Sequence, residues 1–525
     1  MKKSDLKRLI KIEDRIKQIA EEDFNLTFFP VEFDIVPSQK MLEIMAYHIP
    51  TNISNWKKGR DYERQRTIYE NANAGLPYEV VINSNPARAY LMNSNVFAVQ
   101  CLVMSHVIGH VAFFTNNKYF RESRQDIMQI MYEATHRFNE YERRFSIDEV
   151  EVVVDAGHAL QFHSSPFASR KTEDEKRERI FKQEKKRLHA HKSDGYGDVS
   201  GCSKEKVNED IELFNQKLWR KLKLKTPVEP TEDILRYIID NSNILESWQK
   251  DVLEILRIEG QYFWPIIKTK YMNEGFAVTV HQKIMDKLFE EDLLTTEDHA
   301  QYNYSNSLVK AHNPVTLNPY SVGTGIWKDV EERWNKGKYG DEWENCTSVK
   351  EKNKWNTKEM NGWDKCLEVV DTYTDWFFMQ DFLTAELVDE MNLYIYKKED
   401  KNTYIDYVRT KHKADEIRKL IIESFGHNQI PIIEVVNGNY EGKGEIALKH
   451  KWGGIELDKN YAEQTMKHIF ELYGKPVHLS TVVDEKEVVL TIPKEEKPKE
   501  EDNEKELNLM DPFGTLYIPI TGGRL

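Results

Sequence analysis

The chain has 525 residues and a formal net charge of −14 at pH 7. Because single cores stop growing at roughly 250 to 300 residues, this length predicts two or more structural units. The negative charge argues against nucleic acid or an anionic membrane as the main partner, and an aromatic content of 11% argues against general disorder.

Targeting and cysteine signals favour a cytoplasmic protein. The N-terminus alternates charged with apolar residues and lacks the apolar segment of a secretory signal. No apolar run approaches the roughly 20 residues that a membrane span needs. The four cysteines are widely spaced and form no CxxC pair, so neither a disulfide framework nor a cysteine-rich zinc module is expected.

The N-terminal part of the chain reads mainly as helices. Apolar residues recur at three-residue and four-residue spacings over residues 3 to 23, which predicts an amphipathic helix. The apolar stretch 87–114 predicts one long buried helix or two joined helices, and residues 122–145 and 147–163 predict two more. Residues 169–232 are dense in Lys, Arg, Glu and Asp, which is typical of a charged insertion.

Helical patterns resume over 234–258 and 265–291, and turns followed by a helix fit residues 295–334. From residue 392 onward, short strand-like runs alternate with two helical segments and end in a hairpin over 477–492, with its turn near residues 484–486.

The predicted fold class is α+β, with a large, mainly helical N-terminal body and a small α+β C-terminal domain. We expect the body to span residues 1–385 and the α+β domain residues 386–492. An acidic, proline-containing linker and tail follow over 493–525.

His106 and His110 carry the clearest chemical signal. A spacing of four residues puts both imidazoles on one face of a helix, which is how a helix presents two nitrogens to one metal ion. The pair alone is a weak signal, because two core histidines bonded to backbone carbonyls have the same spacing. Its weight rises because other histidines and carboxylates also fall in apolar helical stretches, where unpaired polar groups are costly.

Two histidines and a carboxylate form the ligand set of an open catalytic zinc site, and Glu274 is the candidate third ligand. The usual zinc peptidase helix has Glu directly after its first His, but this chain has Val107 there. Glu259 could replace the missing base, or Glu274 if it is not a ligand, provided that the fold places it within hydrogen-bond reach of the metal-bound water. His281 or His158 is the candidate to orient a ligand or water.

The sequence is also compatible with two other interpretations. A di-metal site on a helical bundle would recruit His158 as a further ligand, with Glu133, His136 or Asp155. Alternatively, the chain is a non-catalytic interaction protein whose buried polar residues form a structural network. The missing glutamate at Val107 favours this last reading, and the number of histidines and carboxylates favours a metal-dependent hydrolase using Zn²⁺ or another divalent ion.

A set of longer motifs resembles the stage V sporulation protein R (SpoVR) family. The motifs span roughly residues 25 to 490, in an order and length that make the likeness specific. They are Met41–His48, Trp56–Arg64, Tyr78–Pro86, Ala89–Met92, His106–His110, Phe113–Asn117, Asp155–Leu160, Met272–Ala277 with His281, Asn318–Tyr320 and Asp329–Trp334. Phe276 stands where the family usually has Trp.

The resemblance implies a cytoplasmic bacterial protein that acts in the mother cell during sporulation and is needed to form the spore cortex, a peptidoglycan layer. It also implies association with a serine protein kinase and a von Willebrand-type protein encoded alongside relatives of the family. It implies no established reaction, so the metal hypothesis depends on the residues themselves.

Overall fold

The computed structural model describes residues 3–47, 56–71, 79–164, 172–193, 204–311, 316–357, 361–400, 405–426 and 430–493. Two compact units divide these residues, and each is assembled from two stretches of chain. The first comprises residues 3–144 and 262–426, and the second comprises residues 145–261 and 430–493.

Twenty α-helices form in the described residues, and a π-helical turn at Ile19–Asp23 extends the first of them. The helices are α1 (Lys3–Gln18), α2 (Ser38–Tyr47), α3 (Trp56–Asn71), α4 (Phe97–Asn116), α5 (Ile127–Phe145), α6 (Ile147–Leu160), α7 (Glu173–Ser193), α8 (Lys204–Leu224), α9 (Ile234–Asn241), α10 (Ser247–Lys268), α11 (Lys270–Glu290), α12 (Thr296–Val309), α13 (Pro319–Asn335), α14 (Gly340–Asn345), α15 (Val349–Lys354), α16 (Gly362–Thr372), α17 (Asp375–Phe382), α18 (Ala385–Glu390), α19 (Ala414–Gly426) and α20 (Lys459–Tyr473).

The described residues also contain nine strands. They are β1 (Val31–Val36), β2 (Glu79–Ile82), β3 (Ala87–Met92), β4 (Tyr396–Asp400), β5 (Ile405–Arg409), β6 (Ile433–Tyr440), β7 (Glu445–His450), β8 (Val477–Val483) and β9 (Lys486–Ile492).

The first unit contains a three-stranded sheet in the order β1-β3-β2, with β1 parallel and β2 antiparallel to β3. The prediction of helix from residue 87 onward is wrong for this strand. Along β3, buried and partly exposed residues alternate strictly, which is the two-residue period of a half-buried strand. The predicted buried helix begins only at Phe97, after a turn.

The core of the first unit is built around α4, which packs against α11, while α11 also packs against α13. Residues Ala98 to Phe114 of α4 are all buried. By length and composition this helix could span a membrane, contrary to the expectation that no run is long enough, but 94% of its apolar window is buried inside the protein. Such burial is that of a core helix with no solvent-facing side.

The second unit combines α6, α9 and α20 with a four-stranded sheet in the order β6-β7-β8-β9. Strands β7 and β8 run parallel, and α20 forms the crossover that a parallel connection needs. The pairs β6–β7 and β8–β9 are antiparallel. The hairpin from β8 to β9 turns at Asp484 and Glu485, which both have positive φ, as a two-residue hairpin turn requires. The turn lies where the sequence predicts it.

The predicted class is confirmed: a large, mainly helical body precedes a small α+β region near the C-terminus. Strands β4 and β5 and helix α19 fall in the first unit, although the sequence pattern groups them with the α+β domain. The predicted charged insertion contains α7 and α8, which contact each other through the rings of Phe181 and Trp219. The predicted tail, 493–525, lies outside the described residues apart from Pro493.

Candidate metal centre

Helix α4 presents His106 and His110 on one face. The four-residue spacing brings their ring centroids to 4.5 Å, edge to face, and both residues are buried at 4% and 6% exposure. The apolar residues around them exclude water, so each ring nitrogen needs a protein partner or an ion.

Helix α11 faces α4 and supplies Glu274, which is 8% exposed. The start of α11 is held by Asp375, whose carboxylate oxygens accept the backbone N–H groups of Tyr271 and Met272 at 2.9 Å each. A carboxylate in this position satisfies N–H groups that no helical carbonyl can reach and complements the helix dipole. This cap fixes the first turn of α11, and Glu274 follows directly after that turn.

The opposite side of α11 approaches α13 closely at Gly275, the residue after Glu274. A Cβ atom added to Gly275 would lie 2.3 Å from the backbone carbon of Gly323. Only glycine permits the two backbones to come this close, so the sequence Asn-Glu-Gly holds Glu274 in place by backbone packing.

Three ligand atoms converge between α4 and α11. Oε2 of Glu274 lies 3.4 Å from Nε2 of His110 and 3.7 Å from Nε2 of His106, and the three atoms lie within 4.8 Å of one another. Bonds of about 2.0 to 2.1 Å to a tetrahedral zinc ion would separate two ligand atoms by about 3.4 Å. The two separations from Oε2 of Glu274 are close to that value, so the group could hold a metal ion.

The other ring nitrogens are already bound, which leaves both Nε2 atoms for the ligand side. Nδ1 of His110 lies 2.9 Å from Oδ1 of Asn273 and donates to it. Nδ1 of His106 lies 3.0 Å from Nδ1 of His281, whose Nε2 lies 3.3 Å from Oδ1 of Asn306. With the His281 proton on Nε2 toward Asn306, its Nδ1 accepts from His106. These outer partners orient the rings as those of metal-binding histidines are oriented.

Charges inside the cluster are complementary. Burial would raise the pKa of Glu274, but the two imidazoles outweigh burial and hold it below its ordinary value. Burial lowers the pKa of His110, but Glu274 outweighs burial and leaves it raised, whereas burial and the charge of His110 lower the pKa of His106. The shifts therefore favour the charged forms of Glu274 and His110 and the neutral form of His106.

Glu79, at the start of β2, is a fourth member of the cluster that the sequence reasoning missed. Its Oε1 lies 4.0 Å from Nε2 of His106, and its side chain is 11% exposed. Burial raises the pKa of Glu79 to about 7, with Glu274 raising it further and His110 opposing. The available signal was its position at the head of the apolar run Val-Val-Ile, within the motif Tyr78–Pro86.

The remaining predicted site residues divide between the two units. His281 joins the cluster through His106. Glu259 and His158 lie in the second unit, where Nε2 of His158 and Oε2 of Glu259 are 3.8 Å apart. Their predicted roles as base and ligand stay predictions.

The residues weighed for a second metal ion do not form another ligand group. Glu133 and His136 are exposed on α5, and Asp155 is partly exposed on α6. In the portion of the chain that the structure describes, three ligand-type residues converge only at His106, His110 and Glu274.

Comparisons with known proteins cover almost the whole chain. The family described as SpoVR like protein matches residues 3–430, and the SpoVR-like C-terminal domain matches residues 431–484. An uncharacterized protein of Escherichia coli (strain K12), YcgB, is 26% identical over 490 residues, which is 89% of each chain. No solved structure matches.

Proposed function

The chain belongs to the family of SpoVR-like proteins, and from that premise we propose that it is a metal-dependent hydrolase with a role in sporulation. The family name supports the role in sporulation, and the buried cluster supports the chemistry. We propose a peptide or amide linkage of spore cortex precursors as the substrate and the mother-cell cytoplasm as the location. A serine protein kinase and a von Willebrand-type protein are the proposed partners.

One observation carries the hydrolase proposal: a buried carboxylate oxygen faces two imidazole nitrogens, and no hydrogen bond of acceptable geometry joins it to either. Oε2 of Glu274 is buried and makes no hydrogen bond of acceptable geometry, although it lies 3.4 and 3.7 Å from the two imidazoles. A buried carboxylate without such partners is costly, and a divalent ion would remove that cost. Two histidines and one carboxylate leave a coordination position open, which distinguishes catalytic from structural zinc sites.

A bound divalent ion would supply a Lewis acid that polarises a substrate carbonyl and makes a water molecule more acidic. Glu79 would act as general base, because it is the carboxylate beside His106 on the side of the ligand atoms. It would take the place of the glutamate that zinc peptidases have after the first histidine, where this chain has Val107. His281 would keep the ring of His106 in the orientation that directs Nε2 to the ion.

Metal analysis of the full chain, purified without an affinity tag, tests the site. We expect about one divalent ion per chain, and a large loss of metal in His106→Ala because two ligands remain of three. His136→Ala is the matched control, since His136 is an exposed histidine on α5. Sub-stoichiometric metal in the wild type that His106→Ala leaves unchanged would contradict the proposal. It would favour the alternative, a non-catalytic protein that regulates or recruits a serine protein kinase.

Hydrolysis of short N-acylated peptides tests the chemistry. Replacing a general base typically lowers the rate by about 10² to 10⁴, so we expect a loss of that order in Glu79→Gln with the metal content retained. Glu32→Gln, at an exposed carboxylate on β1, is the control for handling and folding. Wild-type rates in Glu79→Gln would remove Glu79 from the reaction while leaving the metal site standing.

A further inference from the structure

The second half of α8 is a strongly basic segment in an acidic chain. Residues 213–225 contain five Lys or Arg side chains and no Asp or Glu, although the whole chain has a formal net charge of −14. The exposed basic side chains are Lys217, Arg220, Lys221, Lys223 and Lys225. Because the Debye length is about 10 Å at about 0.1 M ionic strength, distant acidic residues do not cancel the local positive potential of this segment.

Ion pairs do not neutralise this positive charge. Among the described residues, none of the five basic side chains has a carboxylate partner. Helix α7 packs against this part of α8, and Nε of Arg177 donates to the carbonyl of Leu222 at 3.2 Å. The carboxylates in the first half of α7 pair within α7 itself, Asp174 with Arg177 and Glu178 with Lys182. The positive charge of α8 is therefore available to a partner.

Aliphatic side chains lie within the same exposed face. Leu213 is 50% exposed and Leu224 is 70% exposed, whereas Leu222, on the opposite side of α8, is 7% exposed. Leu213, Lys217, Arg220 and Leu224 follow one another at spacings of four, three and four residues, so they form one stripe along the helix. The two leucines are about 16 Å apart along the axis. A partner that covers the stripe must therefore offer both negative charge and an apolar layer.

An anionic membrane surface offers both in the arrangement that the stripe needs. Lipid phosphates lie above the acyl chains, so Lys and Arg bind the headgroups while apolar side chains of the same face enter the boundary below them. Phe214, beside the stripe, is 40% exposed and would enter with the leucines. A helix stripe also touches a plane along its whole length without a matching groove. Nucleic acid fits less well, because its phosphates and bases provide no apolar layer for aliphatic side chains.

We propose that the second half of α8 docks the protein on an anionic membrane surface, with Leu213 and Leu224 inserted and the basic side chains bound to lipid phosphates. Each Lys or Arg close to such a surface contributes about a fivefold gain in affinity. Five of them with shallow insertion of a few apolar side chains give reversible binding rather than permanent anchoring. The inference is independent of the metal centre, because every residue that carries it belongs to α7, α8 or the residue that follows α8.

Co-sedimentation of the full chain with lipid vesicles tests the proposal. One set of vesicles is phosphatidylcholine alone, and the other is an equal mixture of phosphatidylcholine and phosphatidylglycerol. The wild type should bind the mixed vesicles at least about tenfold more tightly, and high salt should weaken that binding. Lys217→Gln combined with Arg220→Gln should weaken it by about 25-fold, at fivefold for each charge. Lys459→Gln combined with Lys467→Gln, at exposed lysines of α20, makes the same change in net charge and should bind as the wild type.

Leu224→Ser tests the insertion step. Loss of one inserted aliphatic side chain should weaken binding to the mixed vesicles by about fivefold, while Leu420→Ser, at a leucine 44% exposed on α19, should bind as the wild type. Circular dichroism checks that each variant stays folded. No binding to the mixed vesicles, equal binding to both sets, or wild-type binding by Leu224→Ser would each overturn the proposal. Binding of labelled polyglutamate through the same residues, with no binding to vesicles, would assign the face to an acidic protein instead.

Discussion

Each unit places a histidine beside a buried glutamate, and only one of the two arrangements resembles a metal centre. In the first unit, two imidazoles of α4 and the carboxylate of Glu274 surround one point, and both Nδ1 atoms are bound elsewhere. In the second unit, His158 of α6 and Glu259 of α10 face each other at 3.8 Å, and no third ligand-type residue converges on them within the described residues. Burial of such residues is therefore a weak indicator of a metal site, and convergence of three atoms is the informative feature.

The largest expected effect is a difference in metal affinity between variants of Glu274 and Glu259. Glu274→Gln should weaken Zn²⁺ binding by more than about a hundredfold, since loss of a ligand exceeds the ten- to hundredfold that loss of an outer partner costs. Glu259→Gln should leave the dissociation constant unchanged. Competition against a chromophoric chelator measures both. If the two variants weakened binding equally, the distinction between the two regions would fail.

Helix packing beside the two glutamate–histidine groups gives the next effect. Gly275→Ala forces a Cβ against the backbone of Gly323, and overpacking of this kind costs about 3 kcal/mol of unfolding free energy. Gly157→Ala, next to His158, brings its Cβ to 2.4 Å from Cδ1 of Leu256, the end of a flexible side chain, so about 1 kcal/mol is expected. Urea denaturation monitored by circular dichroism measures the difference, and the opposite ranking would contradict it.

The sequence carries enough information to find the centre of the site but not its surroundings. The sequence points to His106, His110 and Glu274 because spacing on apolar helices is a local property that periodicity reveals. The sequence does not identify Glu79 as part of the site, because only the packing of β2 beside α4 brings it near His106. No local sequence pattern encodes that contact. Glu259 is a candidate base only because Val107 stands where zinc peptidases have their glutamate, and the structure brings Glu259 together with His158.

The fold was predictable to a similar depth. Long helices and the C-terminal hairpin follow from periodicity and turn residues. The strand Ala87–Met92 does not follow from periodicity. One face of it carries Ala87, Ala89 and Leu91, and the other carries Tyr90 and Met92. With apolar residues on both faces, the run resembles a buried helix in composition.

The pH dependence of stability should sharpen the comparison, because Glu79 in the first-unit cluster changes its charge near neutral pH in the metal-free protein. The folded pKa of Glu79 is about 7, because burial raises it above the ordinary value of 4.5. Its stabilisation is therefore complete below about pH 4.5 and is lost as the pH rises through 7, a decrease on the order of 2 to 3 kcal/mol. Glu79→Gln should flatten this part of the stability profile in urea titrations between pH 5 and 8. Since Asp375 also has its pKa raised to about 7 by burial, a residual slope should remain. A profile that Glu79→Gln leaves unchanged would contradict the assignment.

The smallest expected effect concerns Asn273, whose Oδ1 accepts from Nδ1 of His110 at 2.9 Å. If the first-unit cluster binds a metal ion, Asn273→Ala removes the group that orients the imidazole, and Zn²⁺ affinity should fall by about ten- to hundredfold. Asn273→Asp keeps an acceptor at the same place and should retain the affinity. If the cluster were instead a structural network of buried polar groups, Asn273→Ala would change the unfolding free energy and leave metal affinity unaltered. Measuring both quantities on both variants therefore decides which description applies to the first unit.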